Sequence, residues 1–370
     1  MMEYIYQQKN WANFYWSDEI ILPQLIQVRN MQARLIGRME ALGFQLKMEA
    51  GLETLTLDVL KTSDIEGEVL DTQQVRSSIA RRLGMDISGL VHSDRHVEGV
   101  VEMMLDATQN HKNKLTKERL FDWHAALFPT GRTGMFKIRV GNWREDLKGP
   151  MQVVSGAVGK EKIHFKAPDA ATVDSEMEKF LFWFEQKEGI DEVIKAAIAH
   201  LWFVTIHPFE DGNGRIARAI ADMQLARADN SSQRFYSMSA QIKTERAEYY
   251  TCLEKTQQSN LDITEWLNWF LKCLDKAILN SEITFEKIIE KSKFWNENIN
   301  TSLNERQRLM INRLLDGFFG NLNTSKWAKI TRCSPDTALR DIQDLIAKSI
   351  LIKKNEGGRS TNYELKALVL

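Results

Sequence analysis

The chain is poor in the residues that interrupt or cross-link a fold: its 370 residues include 6 prolines, 20 glycines and 3 cysteines. So little proline and glycine, with 43% hydrophobic and 27% charged residues, excludes collagen-like, low-complexity and disordered chains. Cys252, Cys273 and Cys333 are odd in number and far apart, with no CxxC pair. Neither a disulfide framework nor a zinc or redox motif is expected, and a reducing compartment fits. A run of ~20 apolar residues, the length that crosses a bilayer, is missing, and so is a basic start followed by an apolar stretch. A soluble, cytoplasmic protein with no membrane partner is therefore expected. Net charge is missing too, since 49 basic residues face 50 acidic ones and leave −1. Taken whole, that balance speaks against a surface built for nucleic acid, although a mean hides opposite local charges.

What the chain has is helical periodicity. Apolar residues recur three and four apart through Leu22, Leu25, Ile26, Ile36, Met39 and Leu42 until Gly43, and again from Leu52. Further helices are expected at about 72–84, 93–110, 116–127, 170–187, 191–206, 213–228, 243–257 and 262–279. Residues 130–168 break the pattern with Gly131, Gly134, Gly141, Gly149, Gly156 and Gly159. Gln152-Val153-Val154 and Lys162-Ile163-His164-Phe165 read there as a β-hairpin inserted between helices. The aromatic start, Trp11, Phe14, Tyr15 and Trp16, is expected to pack on the core.

After a charged helical connector at 286–300, residues 301–370 change character. A helix at 303–315 precedes a second around Trp327, a turn at Cys333-Ser334-Pro335-Asp336 and a third through Ala338, Leu339, Ile342, Leu345 and Ile346. Two short strands, Ile350–Lys353 and Asn362–Leu365, flank Gly357-Gly358-Arg359, the pattern of a winged helix. The tail holds 12 basic against 7 acidic residues, and the rest of the chain 37 against 43. The near-neutrality is a cancellation. Arg340 and Lys348 on the third helix and Arg359 in the wing are candidate DNA contacts, with a protein partner as the alternative. The expected fold class is mainly α, a helical body with a hairpin flap plus a small carboxy-terminal α/β domain.

The stretch richest in chemistry is His207-Pro208-Phe209-Glu210-Asp211-Gly212-Asn213-Gly214-Arg215-Ile216-Ala217-Arg218. Proline and two glycines should end one helix and start another, so that backbone N–H groups at the new start favour an anion. Arg215 and Arg218, three apart, share a face and suit phosphate oxygens. Asp211 is a hard oxygen ligand for Mg²⁺, and His207 is a base for a hydroxyl nucleophile. Together they point to phosphoryl or nucleotidyl transfer. Read without further context, Gly-Asn-Gly is also a common turn, and a histidine before proline is often simply packed.

These twelve residues match the signature HxFx(D/E)GNGRxxR, and the chain thereby resembles the Fic family over roughly residues 90–285. The resemblance implies transfer of AMP from ATP to Ser, Thr or Tyr hydroxyls of target proteins and of the protein itself, with Mg²⁺ on Asp211 and pyrophosphate released. It assigns His207 as the base, Gly212, Asn213, Gly214 and Arg215 to phosphate oxygens, and Arg218 to the γ-phosphate. Tyr250 and Gln257 resemble residues that line adenine. Val153 and Val154 resemble the flap that aligns a target chain, with plain packing as the alternative. Upstream, Thr62-Ser63-Asp64-Ile65-Glu66-Gly67 is on composition an ordinary helix end stopped by glycine. It also matches (S/T)xxxE(G/N), the inhibitory motif of Fic proteins, which implies that Glu66 pairs with Arg218 and takes the space of the γ-phosphate. Residues 1–90 resemble the region preceding many bacterial Fic domains, so the expected divisions are 1–90, 91–285, 286–300 and 301–370. Alternatives are a nucleotide-sensing DNA-binding regulator and removal of AMP by the same site. A homodimer is left open. His92 and His96, four apart, lack a third metal ligand, and His200 in an apolar helix reads as a hydrogen-bonded core residue.

Overall fold

The structure, a computed structural model, describes residues 4–85, 90–147, 149–156, 162–186, 189–315, 318, 320–354 and 361–366. It is mainly α-helical and divides into two units, Met1–Glu282 and Ile283–Leu370. Helices α1 (Asp18–Glu40), α2 (Phe44–Ile65), α3 (Thr72–Arg82), α4 (Arg95–Gln109) and α5 (Lys117–Leu127) open the first unit. A short antiparallel pair, β1 (Arg132–Thr133) and β2 (Phe136–Lys137), precedes the hairpin of β3 (Gln152–Ser155) and β4 (Lys162–Lys166). Helices α6 (Ala170–Glu185), α7 (Glu192–Ile206), α8 (Asn213–Asp229), α9 (Met238–Thr244), α10 (Arg246–Gln257) and α11 (Thr264–Glu297) follow.

Local chemistry starts most of these helices. Asp71, Asp94, Thr116, Asp169, Asp191 and Ser237 each accept a hydrogen bond from a backbone N–H of the first turn, which satisfies a donor the helix itself cannot. The centre of the unit is α7. Every residue from Val193 to Ile206 is buried, as expected of a helix apolar on all sides. Helix α8 packs along it, α2 packs on α9 and α8, and Trp266 of α11 donates to the Ala197 carbonyl at 2.8 Å. Each large apolar side chain so enclosed contributes about 1.5–3 kcal/mol.

Two elements depart from the periodicity. The helix expected at 243–257 is broken at Glu245, whose φ of −103° and ψ of 29° are not helical and whose carboxylate is held by Gln241 and Lys276. A one-residue break leaves the apolar spacing intact and so leaves no periodic trace. The stretch expected as a separate connector is the second half of α11, which runs unbroken to Glu297. The aromatic start is split: Trp11 and Phe14 meet Trp202 edge-on, whereas the Tyr15 ring is exposed and only its backbone pairs, with Leu261 and Ile263.

The second unit has its own core of Met310, Ile311, Trp327, Ile342, Leu345 and Leu351. It is built by α12 (Glu305–Leu315), α13 (Thr324–Thr331), α14 (Pro335–Ala347) and the antiparallel pair β5 (Leu351–Lys353) and β6 (Tyr363–Leu365). Ser334 caps α14, and Pro335 takes its first turn, where a missing N–H costs nothing.

Candidate active site

Helix α7 ends at His207 because Pro208 cannot donate the next helical bond, and His207 takes the left-handed conformation with φ 54°. That posture is uncommon for a residue with a Cβ and is held from outside. Arg144, almost fully buried, donates through Nε to the His207 carbonyl and through its backbone N–H to the Pro208 carbonyl, both at 2.8 Å. Under the loop, His124 stacks on Phe209 at 4.2 Å and accepts the Gly141 N–H at Nδ1. Its Nε2 therefore carries the proton and donates to the Asp211 carbonyl. Asn213 spends both side-chain atoms on the backbone of Phe209, accepting at 2.9 Å and donating at 2.8 Å. What Asn213 can offer an anion is thus its backbone N–H, not its amide.

The two glycines have separate reasons. Gly212 caps α8 with φ 80°. Gly214 is forced by closeness, since a Cβ there would stand 2.3 Å from Oε1 of Glu66.

Glu66 arrives from α2. That helix closes with the Glu68 N–H on the Ser63 carbonyl and the Gly67 N–H on the Asp64 carbonyl, with Gly67 at φ 87°. The turn sends two glutamates, one on each side of Gly67, to Arg215 and Arg218 of α8. Arg218 donates to Glu66 at 2.7 Å and to the hydroxyl and carbonyl of Thr62 at 2.8 and 2.9 Å. Arg215 donates to Glu68 at 2.6 Å and lies over the Phe128 ring. Both arginine side chains are 2% exposed, against 31% and 36% for the glutamates. His96 also meets Glu68, at 3.2 Å, which raises its pKa. Among buried atoms, Nη1 of Arg218 and Nε of Arg215 have no hydrogen-bond partner. Glu66 and Arg218 are the two residues whose contact the resemblance to the Fic inhibitory motif implies. Glu68 is a residue the motif does not name, and its position two past Glu66 across the glycine is its only signal. Arg144 and His124 have no sequence signal at all.

A profile of the Fic/DOC family matches residues 114–225, and a profile described as a domain of unknown function, DUF4172, matches residues 4–85. The chain carries a Fic/DOC family domain. It is 26% identical over 220 residues to a protein adenylyltransferase Fic of Drosophila grimshawi, covering 58% of this chain and 40% of that protein. It is 28% identical over 251 residues to protein adenylyltransferase fic-1 of Caenorhabditis elegans, covering 67% of this chain and 44% of that protein. The chain thus spans less than half the length of these curated relatives. In fold it is similar to a Fic family protein from Desulfovibrio desulfuricans G20, with a TM-score of 0.54 at 18% identity over 95% of this chain and 97% of that one. A Fic domain containing signaling protein from Bacteroides thetaiotaomicron VPI-5482 gives a TM-score of 0.52 at 18% identity over 70% of this chain and 98% of that one.

Beside the signature turn of the Fic domain opens a cavity of about 720 Å³. His207, Asp211 and the Gly-Asn-Gly turn form one side, Tyr250 and Gln257 another, and Val153 and Val154 a third. Arg215 and Arg218 are not on this wall; Glu66 is. Tyr250 stacks under Arg246, whereas Gln257 is buried and donates to Thr205 at 3.2 Å. Val154 is 47% exposed, so the flap valines are not core packing.

The Val204 carbonyl takes the proton on Nδ1 of His207 at 3.2 Å, which leaves Nε2 as the acceptor. Burial, helped by the nearby Arg144 charge, holds the imidazole pKa down at about 4 against the pull of Asp211 and Glu66. At neutral pH it is an uncharged base. Asp211 accepts the Gly212 N–H at 2.6 Å through Oδ1. No cluster of three His, Cys, Asp or Glu side chains occurs among the described residues, so a closed zinc site is not available there. One carboxylate beside an anion cradle does fit Mg²⁺, which takes one or two protein carboxylates and completes its shell with phosphates and water.

Elsewhere, His200 is the core residue its helix implies, buried and paired with the Tyr249 hydroxyl at 2.9 Å. His92 is exposed. In the second unit Arg340 is exposed, and Arg359 lies outside the described residues. Lys348 is spent on the Ser302 carbonyl at 2.7 Å and on Asp344, the residue one turn before it, so the structure gives it a bracing role and not a free cation for phosphate.

Among the described residues no helix is long and apolar enough to cross a membrane.

Proposed function

We propose that this chain is a protein AMP transferase, moving AMP from ATP to Ser, Thr or Tyr hydroxyls of target proteins and of itself, and that Glu66 restrains it. The observation that carries this reading is Glu66, paired with Arg218 and laid against Gly214, on the wall of the same cavity as an uncharged His207. The names of the curated relatives agree with it.

Each residue has a task the geometry suits. His207 Nε2 takes the proton of the attacking hydroxyl, with the ring held by Val204 and its carbonyl by Arg144. Backbone N–H groups of Asn213 and Gly214, at the positive end of α8, receive phosphate oxygens, whereas the Gly212 N–H expected to join them is already given to Asp211. Arg215 balances charge growing on the leaving β-phosphate, an electrostatic contribution of several kcal/mol in such sites. Asp211 would hold Mg²⁺, which when bound neutralises the phosphates. Arg218 receives the γ-phosphate once Glu66 has left it, so ATP and Glu66 compete for one guanidinium. Tyr250 and Gln257 would face the base.

The test is transfer of label from α-labelled ATP. Glu66→Gly is expected to label itself or lysate proteins at least ten-fold more than the native chain, and His207→Ala to abolish labelling in both backgrounds. Equal labelling of native and Glu66→Gly protein removes the restraint. Label that survives His207→Ala removes the mechanism.

A further inference from the structure

The hairpin that walls this cavity needs support from outside itself. Among the described strands β3 pairs with β4 and with no other, and a two-stranded hairpin alone is marginal in water. At its base Phe165 is buried, with the rings of Tyr4 and Tyr6 edge-on to it. Further out, Val154 and Ile163 are about half exposed, so apolar packing does not hold that part. Polar contacts with α10 do.

The pairing register supplies the group that makes them. Val153 faces Phe165 and Val154 faces Ile163, so His164 is the extra residue of a β-bulge. A bulge turns a side chain out of the alternating pattern, and here it turns His164 towards α10. Nδ1 of His164 is 2.7 Å from Oε2 of Glu254, and Gln258 donates to the His164 carbonyl at 2.7 Å. Lys162, 3.5 Å from Oε1, gives Glu254 a second contact from β4. On β3, Oγ of Ser155 is 2.6 Å from Nε2 of His164.

Proton placement joins these into one set. The His164 hydrogen bond and the Lys162 charge both favour the ionised form of Glu254. An ionised carboxylate only accepts, so Nδ1 of His164 carries the proton, Nε2 is left as an acceptor, and Ser155 donates to it. The imidazole thereby ties both strands to one carboxylate. Glu254 is four residues after Tyr250 and three before Gln257, and all three line the cavity from one face of α10.

We infer that His164 and Glu254 latch the hairpin to α10 and so fix the free edge of β3 for an extended segment of the target protein. The inference rests on the AMP-transfer reading and adds how the acceptor is presented to His207, which stays the base. A segment that adds to β3 through backbone hydrogen bonds follows the path of that strand, so its hydroxyl is placed only as well as β3 is placed. His164 and Glu254 act through the strand and are positioning residues. One helix then serves both substrates, lining the nucleotide cavity and steadying the strand that receives the target.

The experiment compares His164→Ala and Glu254→Ala with their parent, the full-length Glu66→Gly protein. Hydrogen exchange of the amides in β3 and β4 is expected to quicken by about 10-fold or more, the worth of one hydrogen bond to a charged group. Labelling of lysate proteins from α-labelled ATP is expected to fall by a similar factor, while calorimetry shows Mg²⁺–ATP bound as tightly as by the parent. Unchanged exchange in the hairpin overturns the latch. Faster exchange with undiminished labelling overturns its part in presenting the target. Weakened ATP binding would make the pair a nucleotide contact and overturn the inference as well. Glu254→Gln, whose amide oxygen can still accept from Nδ1, is expected to keep labelling that Glu254→Ala loses, and equal losses overturn the role of that hydrogen bond. A parent that labels neither itself nor any lysate protein overturns the AMP-transfer reading, and the exchange rates then decide the latch by themselves.

Discussion

Two ion-paired layers join the α2 segment to α8, and they are opposite in kind. At the open end Arg215 and Arg218 hold Glu68 and Glu66, at 2.6 and 2.7 Å. In the buried layer, Asp222 on α8 and Asp58 on α2 share the charge of Arg234, which is 2.9 Å from Asp222. The bond lengths hardly differ, but the exposures do. Glu66 and Glu68 are about a third exposed, whereas Arg234 and Asp222 are 0% and 1%. A carboxylate at the rim can be exchanged for a phosphate brought by solvent, because water re-solvates it as it leaves. A carboxylate in the deep layer has no such exit. Burial raises the pKa of both Asp58 and Asp222, the Asp222 charge pushes Asp58 further in the same direction, and Arg234 opposes both. The same residue types thus serve as a replaceable contact in one layer and as structure in the other.

The largest effect that could break this comparison is on the deep layer. Arg234→Ala leaves two buried carboxylates without their cation, and urea unfolding is expected to show a loss of about 3–5 kcal/mol. Glu66→Gln, at the rim, is expected to cost less than about 1 kcal/mol in the same assay. Comparable losses would make the Glu66 pair structural as well.

Next in size is acid sensitivity. Burial, with the nearby charge of Arg218, lowers the His200 pKa from 6.5 to about 3. The folded chain therefore binds fewer protons than the unfolded one below about pH 6.5. Stability from this group is present above the unfolded pKa and lost as the pH falls towards the folded one. From about pH 7 to about pH 5, His200→Gln is expected to lose about 2 kcal/mol less than the native protein, as read by denaturant unfolding at both pH values. Asp58 has the opposite sign, since its raised pKa gives stability that fades as the pH rises, so Asp58→Asn should steepen the acid loss.

The smallest effect separates the two rim pairs. Glu68→Gln removes a charge from beside Arg215 and keeps the shape, and calorimetry is expected to show ATP binding about 2–10-fold tighter. Weaker binding would mean that Glu68 holds Arg215 ready for the nucleotide instead of competing with it.

Much of this was legible in the chain. The signature residues 207–218, the glycine stop at Gly67 and the hairpin at 152–165 lie where turn chemistry and periodicity put them. Illegible were contacts whose partners are distant in sequence. Arg144 reaches the loop across 63 residues, and Glu68 meets Arg215 across 147. Lys348 shows the converse, since a basic residue on an amphipathic helix is read as available until the fold gives it Asp344 and Ser302. The Asn213 amide, spent on Phe209, teaches the same about the phosphate cradle.

By itself the sequence determined most of the helices, though not the break at Glu245 or the unbroken run of α11, and the order of base, carboxylate, glycines and arginines at the start of α8. These depend on interactions within a few residues: dihedral preferences, capping hydrogen bonds and the spacing of apolar side chains. Only the tertiary structure decided that Glu68 met Arg215, which of the paired glutamates water could reach, and that a bulge would bring Ser155, His164 and Glu254 together. Those outcomes depend on how helices and strands pack, and burial, which sets the worth of every charge here, is a property of the packed whole.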